Sequence, residues 1–388
     1  MTDQPQKATQ AVGWLLRQPF NGEREVGRLL GCAEHDARYL LQELTLRGCI
    51  DWVEPGSPDL ERRRRYFVTE DAVAAWCAAR EVPIATLAQV VPVGRNDLLR
   101  RITSIEVTAG VNHLCAALAD ELRRAGRAEL VDARSLPLGG PAAARWWLPG
   151  VDGYGCLRAG RLSAPFLVVW DRAAAPNVHR RRRAGFWRRE AAKVRGHWGR
   201  AGLPPLLIVC RTMREVAVWR GALTDQADGE TPPLGAYFTT RPALREHGAA
   251  GPIWQSATSE EGRLIGLLGW GPEPPAPTLP LVDVLADLEP RGRHRQGALG
   301  RWAAQHATTE HARARWQHAS ALALATSPGE QTLLGWIARH PLLAASDLAE
   351  LLNEPAALIE RQLERLLRCR VVAPVPPHQP MTTEGATA

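Results

Sequence analysis

The chain has 388 residues, 45% of them hydrophobic, which is enough for two or three domains with substantial interiors. No run of 18 uninterrupted apolar residues occurs, so the sequence predicts no transmembrane helix. The N-terminus, MTDQPQKATQ, has neither the basic nor the apolar region of a secretory signal, and we expect a cytoplasmic protein. Seven cysteines are scattered without a CxxC pair, which is typical of buried free thiols rather than of disulfides or a zinc site.

The positive charge is concentrated in short stretches. Lysine and arginine total 48 against 41 acidic residues, which gives a net charge of +7. Residues 179–195, HRRRRAGFWRREAAKVR, hold seven arginines, one lysine and one glutamate, so this stretch alone carries +7. A second run, Arg62 to Arg65, follows a polar loop. Such clusters indicate a polyanionic partner, and double-stranded DNA is the partner that we expect.

Residues 1–80 have the pattern of a winged helix. Apolar spacing predicts helices over 8–18, 23–30 and 34–47, which end at Pro19, Gly31 and Gly48. The segments CIDWV and RYFVT then alternate like the strands of a hairpin, and a helix over 70–79 follows. In such a module the third helix enters the major groove and the hairpin contacts the DNA backbone.

Three sets of side chains are candidates for DNA contacts. His35, Arg38, Tyr39 and Gln42 lie at outward positions of the third helix, where they are expected to reach base edges. The hairpin supplies phosphate contacts from Arg62, Arg63, Arg64 and Arg65. The basic stretch supplies further phosphate contacts from Arg180, Arg181, Arg182, Arg183, Arg188 and Arg189. The alternative for the basic stretch is a solvated surface helix, and the alternative for the winged helix is protein contact alone.

The N-terminal helices recur near the C-terminus. A shift of 322 positions aligns residues 13–44 with 335–366 without a gap, and eight of the 32 positions are identical. The shared Gly-Trp pair, a proline and several leucines predict a second winged-helix-like helical module over 327–375. Because its third helix carries few cations, we expect this copy to contact other proteins rather than DNA.

Between the two copies the pattern changes to mixed α/β. Residues 105–225 predict a core of the order helix, three strands, basic helix, strand, helix, with FLVVW as a central strand. The remaining segments are predicted as a linker (81–104), a Pro/Gly-rich extension with short strands such as AYFTT and LIGLLGW (226–296), a long helix (297–326) and a disordered tail (376–388). The predicted fold class is therefore α+β multidomain.

The order of these segments resembles the replication-relaxation family of plasmid and mobile-element proteins over roughly residues 10–215. The resemblance rests on RYFVT, VNHLCAALADEL, VDGYGCLR, FLVVWDRAA and PPLLIVC. The central domain of that family is similar to PD-(D/E)XK nucleases, in which two acids on adjacent strands hold a divalent metal and a lysine supports the attacking water. Matched by motif, the resemblance implies Asp152, Asp171 and Lys193 as the catalytic residues if the core is active.

One position departs from the family pattern. Where an acid is expected to ligate the metal, the chain has Val169. Asp152 and Asp171 alone make a sparse oxygen set for Mg²⁺ or Mn²⁺. We therefore expect a scaffold core that needs no cofactor, in a DNA-binding protein that acts in replication, mobilisation or target recognition. The alternatives are a metal-dependent nickase or nuclease and a winged-helix transcriptional regulator. The sequence leaves the oligomeric state open.

Overall fold

A computed structural model describes residues 4–55, 63–79, 81–88, 90–102, 104–138, 147–171, 177–224, 234–256, 262–272, 326–339, 343–368 and 372. Within them the fold mixes helices with a six-stranded sheet, which is compatible with the predicted α+β class. The chain divides into two compact units, of which the first holds the N-terminal helices and the large sheet. No helix of the described residues is long and apolar enough to cross a membrane.

The N-terminal module, residues 4–79, consists of helices and a two-stranded hairpin. Its elements are α1 (Gln4–Arg17), α2 (Glu23–Leu30), α3 (Glu34–Leu46), β1 (Ile50–Val53), β2 (Arg65–Val68) and α4 (Glu70–Ala79). The strands pair antiparallel. Helix α2 ends at Gly31, whose φ of 68° is left-handed, a conformation that glycine adopts at little cost. The turn brings α3 back against α2, where Ala37, Leu41 and Leu44 are buried.

Residues 81–104 differ from the predicted linker because two helices form there. These are α5 (Ile84–Leu87) and α6 (Arg95–Ile102). The guanidinium of Arg101 is buried and donates to the carbonyls of Ser135 and Pro137 at 2.8 and 2.7 Å. This guanidinium provides hydrogen bonds to backbone carbonyls at and just after the end of a strand of the central sheet. Helix α6 is therefore packed against the sheet and does not behave as a linker.

The central sheet has the order β3-β4-β5-β6-β7-β8. Its strands are β3 (Glu129–Ser135), β4 (Gly153–Ala159), β5 (Leu162–Trp170), β6 (Leu206–Cys210), β7 (Ala236–Thr240) and β8 (Gln255–Ser256). Pairs β5/β6 and β6/β7 are parallel, and the other pairs are antiparallel. The predicted central strand FLVVW is β5. The sheet continues beyond residue 225, because AYFTT forms β7 within it.

Helices cover both faces of this sheet. The helices of this region are α7 (Ile105–Arg124), α8 (Asn177–Arg195), α9 (Met213–Thr224), α10 (Arg241–His247) and α11 (Leu264–Leu267). On one face α7 packs against Phe166, Val168 and Trp170. On the other face α8 and α9 pack against Leu167, Val169 and Ile208. Alternation along β5 separates these two cores.

The predicted strand LIGLLGW is instead the short helix α11 and its following turn. Leu264 and Leu268 are both buried, and this four-residue spacing suits one turn of helix rather than a strand. The indole of Trp270 donates to the carbonyl of Ile265 at 3.0 Å and closes the turn.

The N-terminal module docks on α7. The amide of Asn112 donates to the carbonyl of Pro19 at 2.9 Å in a buried contact. Arg123 donates to the carbonyl of Leu29 at 2.8 Å, at the end of α2. The imidazole Nδ1 of His113 lies 3.6 Å from the carboxylate of Glu25. Polar and apolar contacts therefore hold the module on the α7 side of the sheet.

The second unit repeats the helices of the first. Its helices are α12 (Pro328–Arg339), α13 (Ala345–Leu352) and α14 (Ala356–Arg368). The shift of 322 positions maps α2 onto α13 and α3 onto α14 residue by residue. Asn353, at the position of Gly31, also has a left-handed φ, of 50°. The predictions for Arg62, for residues 297–325, for the tail 376–388 and for most of 226–296 lie outside the described residues.

Candidate nucleic-acid interface

The arginine-rich stretch forms α8, which crosses over between the parallel strands β5 and β6. One stripe of the helix is buried and contains Arg180, Ala184, Trp187, Ala191 and Val194. The Trp187 ring stacks on Trp219 of α9 with centroids 5.3 Å apart. Its indole donates to the carbonyl of Pro149 at 2.8 Å. These contacts fix the rotation of α8 about its axis and decide which arginines face inward.

Arg180 lies inside the protein. Its side chain is 4% exposed, and Nε donates to the carboxylate of Asp171 at 2.7 Å. A second nitrogen lies 3.4 Å from a carboxylate oxygen of Glu215 on α9. Burial raises the pKa of Asp171, and the charge and hydrogen bond of Arg180 oppose that rise. The predicted DNA contact of Arg180 is therefore wrong, because its guanidinium neutralises interior carboxylates.

Arg183 also turns toward the protein. A guanidinium nitrogen lies 3.5 Å from the carboxylate of Asp152, and the group stacks over the ring of Trp187 at 4.8 Å. The same carboxylate accepts the backbone N–H of Trp170 at 2.9 Å. Asp152 thus joins the start of β4 to the end of β5. Its neighbour Arg183 is 29% exposed, so this arginine lies between the interior and the surface.

The carboxylates of Asp152 and Asp171 do not fit a divalent cation in this arrangement. Each carboxylate has a guanidinium beside it, so a metal ion would meet a fixed positive charge at each. The groups that could hold a metal ion, clusters of three or more histidine, cysteine or acidic side chains, do not occur among the described residues. Arg180 and Arg183 each place one positive charge beside the carboxylates of Asp171 and Asp152.

Lys193 is not brought to either aspartate. Ten or more residues of α8 separate it from Arg183 and Arg180, which corresponds to about 15–20 Å along the axis at about 1.5 Å per residue. Its Nζ donates to Glu190 at 2.8 Å on the exposed side of the helix. The structure therefore places Lys193 more than two helical turns from Arg183 and does not group it with Asp152 and Asp171.

The outward face of α8 consists of Arg181, Arg182 and Arg189, with Lys193 on the same side. All four side chains are exposed. Among the described residues, Arg181, Arg182 and Arg189 make no side-chain hydrogen bond or ion pair. Arg188 is half-buried and belongs to the flank. We call Arg181, Arg182 and Arg189 together the outer arginine face.

The outward surface of α3 has a different electrostatic character. His35, Arg38, Tyr39 and Gln42 are all exposed, as predicted. Nε of Arg38 donates to the carboxylate of Glu23 at 2.8 Å. The pairing partner lies in the first turn of α2, a contact that the sequence pattern did not indicate. An exposed pair of this kind contributes little to stability, so Arg38 can exchange Glu23 for another acceptor at small cost.

The hairpin arginines are paired with acids as well. Arg63 lies 2.9 Å from Glu34, and Arg64 lies 3.5 Å from Glu54 and stacks over Trp52 at 4.3 Å. A cavity of about 490 Å³ opens between α3 and the hairpin, lined by Glu23, Glu34, Arg38, Gln42, Glu54, Arg63 and Arg64. This mixture of charges makes the module a weaker phosphate attractor than the outer arginine face.

Arg65 is the exception among the hairpin arginines. Its side chain is 8% exposed and lies 3.2 Å from the equally buried carboxylate of Glu25. The predicted DNA contact of Arg65 is wrong, because the residue begins β2 and its side chain enters the interface with α2.

A scan against protein-family models, a search of curated proteins and a search of solved structures each found no match for the chain.

Proposed function

We propose that the chain is a double-stranded DNA-binding protein of a mobile genetic element, acting in replication, mobilisation or target recognition. The observation that carries the proposal is the outer arginine face: Arg181, Arg182 and Arg189 are exposed and lack acidic partners among the described residues. Neighbouring like charges repel one another, and a phosphate backbone relieves that repulsion.

The dimensions of the outer arginine face suit a duplex. Arg181 and Arg189 are eight residues apart on α8, or about 12 Å at about 1.5 Å per residue. Double-stranded DNA carries about one negative charge per 1.7 Å of axis, so a 12 Å length presents about seven phosphates. Three arginines therefore find partners without deforming the duplex.

The N-terminal module acts as a winged helix in this proposal. Helix α3 enters the major groove, and His35, Arg38, Tyr39 and Gln42 contact base edges there. Arg63 and Arg64 of the hairpin exchange their acidic partners for phosphates. Arg65 and Arg180 keep structural roles, since both are buried against carboxylates.

The central sheet is a scaffold in this proposal and carries no chemistry. Arg180 neutralises Asp171 at 2.7 Å, and Arg183 lies 3.5 Å from Asp152. These pairs position α8 and present its outer face. Supercoiled plasmid incubated with the protein and Mg²⁺ should stay supercoiled. Relaxed or linear product that disappears in Asp152→Ala would replace the scaffold with the nuclease alternative.

A charge-matched pair of variants tests DNA binding by the outer arginine face. Arg181→Gln/Arg182→Gln/Arg189→Gln removes three charges from α8, and each lost phosphate contact makes the slope of log K against log salt shallower by about 0.9. Fluorescence anisotropy with a random duplex should show a slope shallower by up to about 2.7 and, at 0.1 M salt, an affinity lower by up to about 500-fold.

The matched control removes the same charge elsewhere. Arg124, Arg127 and Arg158 are exposed residues at the far end of α7 and on β4, so changing all three to Gln leaves α8 intact. The control should keep the wild-type slope within about one contact, or 0.9. Equal slopes for the two variants would mean that only the net charge matters, and the proposal would fail.

A further inference from the structure

The two candidate DNA surfaces lie on opposite sides of the central sheet. Helix α8 packs on the face formed by Leu167 and Val169. The N-terminal module docks on α7, which packs on the face formed by Phe166 and Val168. Resting on the proposed function, we propose that one molecule of this protein holds two DNA segments at once, one on the N-terminal module and one on the outer arginine face.

The thickness of the layers separates the two surfaces. Helix α8 packs on one face of the sheet and α7 on the other, and the N-terminal module contacts α7 at the end of α2. A helix with its side chains is about 10–12 Å across, so α8 and α7 alone amount to more than about 20 Å. The outer arginine face points away from the sheet, because Arg180, Trp187 and Val194 occupy the inner stripe of the same helix.

The separation is fixed by one buried contact and two partly exposed ones. Asn112 binds the Pro19 carbonyl with both residues in the interior, and Arg123 binds the end of α2 at the Leu29 carbonyl. Arg17 of α1 lies 3.6 Å from Asp132 on the edge strand β3. A rotation that brought α3 to the α8 side would break all of these contacts at once. The two surfaces therefore stay opposed.

A single duplex does not pass easily from one surface to the other. DNA has a persistence length of about 150 bp, and a site that touched both surfaces would reverse direction around a protein layer only a few nanometres thick. Two separate segments satisfy both surfaces without that deformation.

The two surfaces also differ in what they recognise. Helix α3 presents side chains such as Arg38 and Gln42 that suit base edges, whereas the outer arginine face presents only guanidinium groups to phosphates. The geometry thus points to a protein that joins a preferred site to a segment of any sequence. The partner of the outer arginine face is therefore a second DNA duplex.

Bridging is tested with two unrelated duplexes of about 30 bp, far below the persistence length. One duplex is biotinylated and held on beads, the other is fluorescent, and full-length protein should retain the fluorescent duplex. Mass measurement of the complex in solution should show one protein chain with two duplexes. Complexes with one duplex at saturation, or bridges that always contain two protein chains, would overturn the proposal.

Two variants separate bridging from binding itself. Arg181→Gln/Arg182→Gln/Arg189→Gln and, on the other side, Arg63→Gln/Arg64→Gln should each still bind one duplex and lose at least about tenfold in retained second duplex. If the wild-type protein binds neither duplex, the proposed function is refuted. If both variants weaken the same complex of one protein and one duplex, DNA binding stands, the two surfaces share a bent duplex, and bridging is refuted.

Discussion

Glu25 is the residue whose loss we expect to loosen the N-terminal module most. Its buried carboxylate accepts the N–H of Gly22 at 3.0 Å, lies 3.2 Å from Arg65 and lies 3.6 Å from His113 of α7. Its carboxylate therefore caps the N-terminus of α2, pairs with an arginine of the hairpin and contacts the helix on which the module docks. Glu25→Gln keeps an acceptor for Gly22 and removes the charge.

The pKa of Glu25 gives the magnitude. Burial alone would raise it, but the close contact with His113 and the charge of Arg65 outweigh burial and lower it from 4.5 to about 2. A depressed folded-state pKa contributes stability that is present above pH 4.5 and is lost as the pH falls toward 2. At about 1.4 kcal/mol per unit, the contribution is about 3 kcal/mol. Leaving Arg65 buried without its partner gives a similar loss of about 3–5 kcal/mol.

Urea unfolding followed by tryptophan fluorescence measures this loss. At pH 7, Glu25→Gln should lower the free energy of unfolding by about 3–5 kcal/mol. The difference from the wild type should shrink between pH 4.5 and about 2, because Glu25 of the unfolded wild-type chain then takes up a proton while the folded carboxylate stays ionised. Glu43→Gln on exposed α3 is the control and should cost less than about 1 kcal/mol. Equal losses for the two variants, or a difference that does not change with pH, would refute the role of Glu25.

Two further predictions concern the central sheet and its helices. A Cβ at Gly110 would lie 2.1 Å from the ring of Trp170, so Gly110→Ala should destabilise the fold by about 1–3 kcal/mol. A Cβ at Gly13 of α1 meets no atom within 4 Å, so the control Gly13→Ala should stabilise the fold by up to about 1 kcal/mol. Calorimetry that ranks the two variants the other way would contradict the close approach of Gly110 to Trp170. Arg180→Met should lower the free energy of unfolding by about 3–5 kcal/mol, because Asp171 is left buried without its nearest cation. Adding Asp171→Asn should recover part of this loss. A double-mutant cycle that shows no coupling energy between the two residues would contradict the ion pair.

Periodicity along the chain was sufficient for most helices and strands. The apolar spacing predicted α2 at 23–30, where it lies, and the basic helix predicted around residues 179–195 is α8, which a short 3₁₀ turn over Gly196–Ala201 follows. The repeat predicted helices α13 and α14, whose bounds match those of α2 and α3 after the shift. These features depend on local spacing and on turn residues such as Gly31, which a sequence displays directly.

The side-chain partners of the charged residues could not be predicted in this way. Arg180 and Arg181 are adjacent and identical in type, yet one is buried against Asp171 and the other is exposed. The difference comes from the rotation of α8, which Trp187 fixes through contacts with distant segments. The burial of Arg101 in α6 has the same origin, because its acceptors at Ser135 and Pro137 follow more than 30 residues later.

The pair formed by Arg180 and Asp171 also constrains how this core can change during evolution. Val169 is fully buried in the same core as α8, two residues before Asp171. A carboxylate introduced at position 169 would enter the apolar layer on which α8 packs, where a buried charge without a partner destabilises the fold. A lineage that reached metal chemistry would therefore have to replace the apolar residue at position 169 and also give up the ion pair between Arg180 and Asp171. In the proposed function, this ion pair helps to keep the sheet a scaffold.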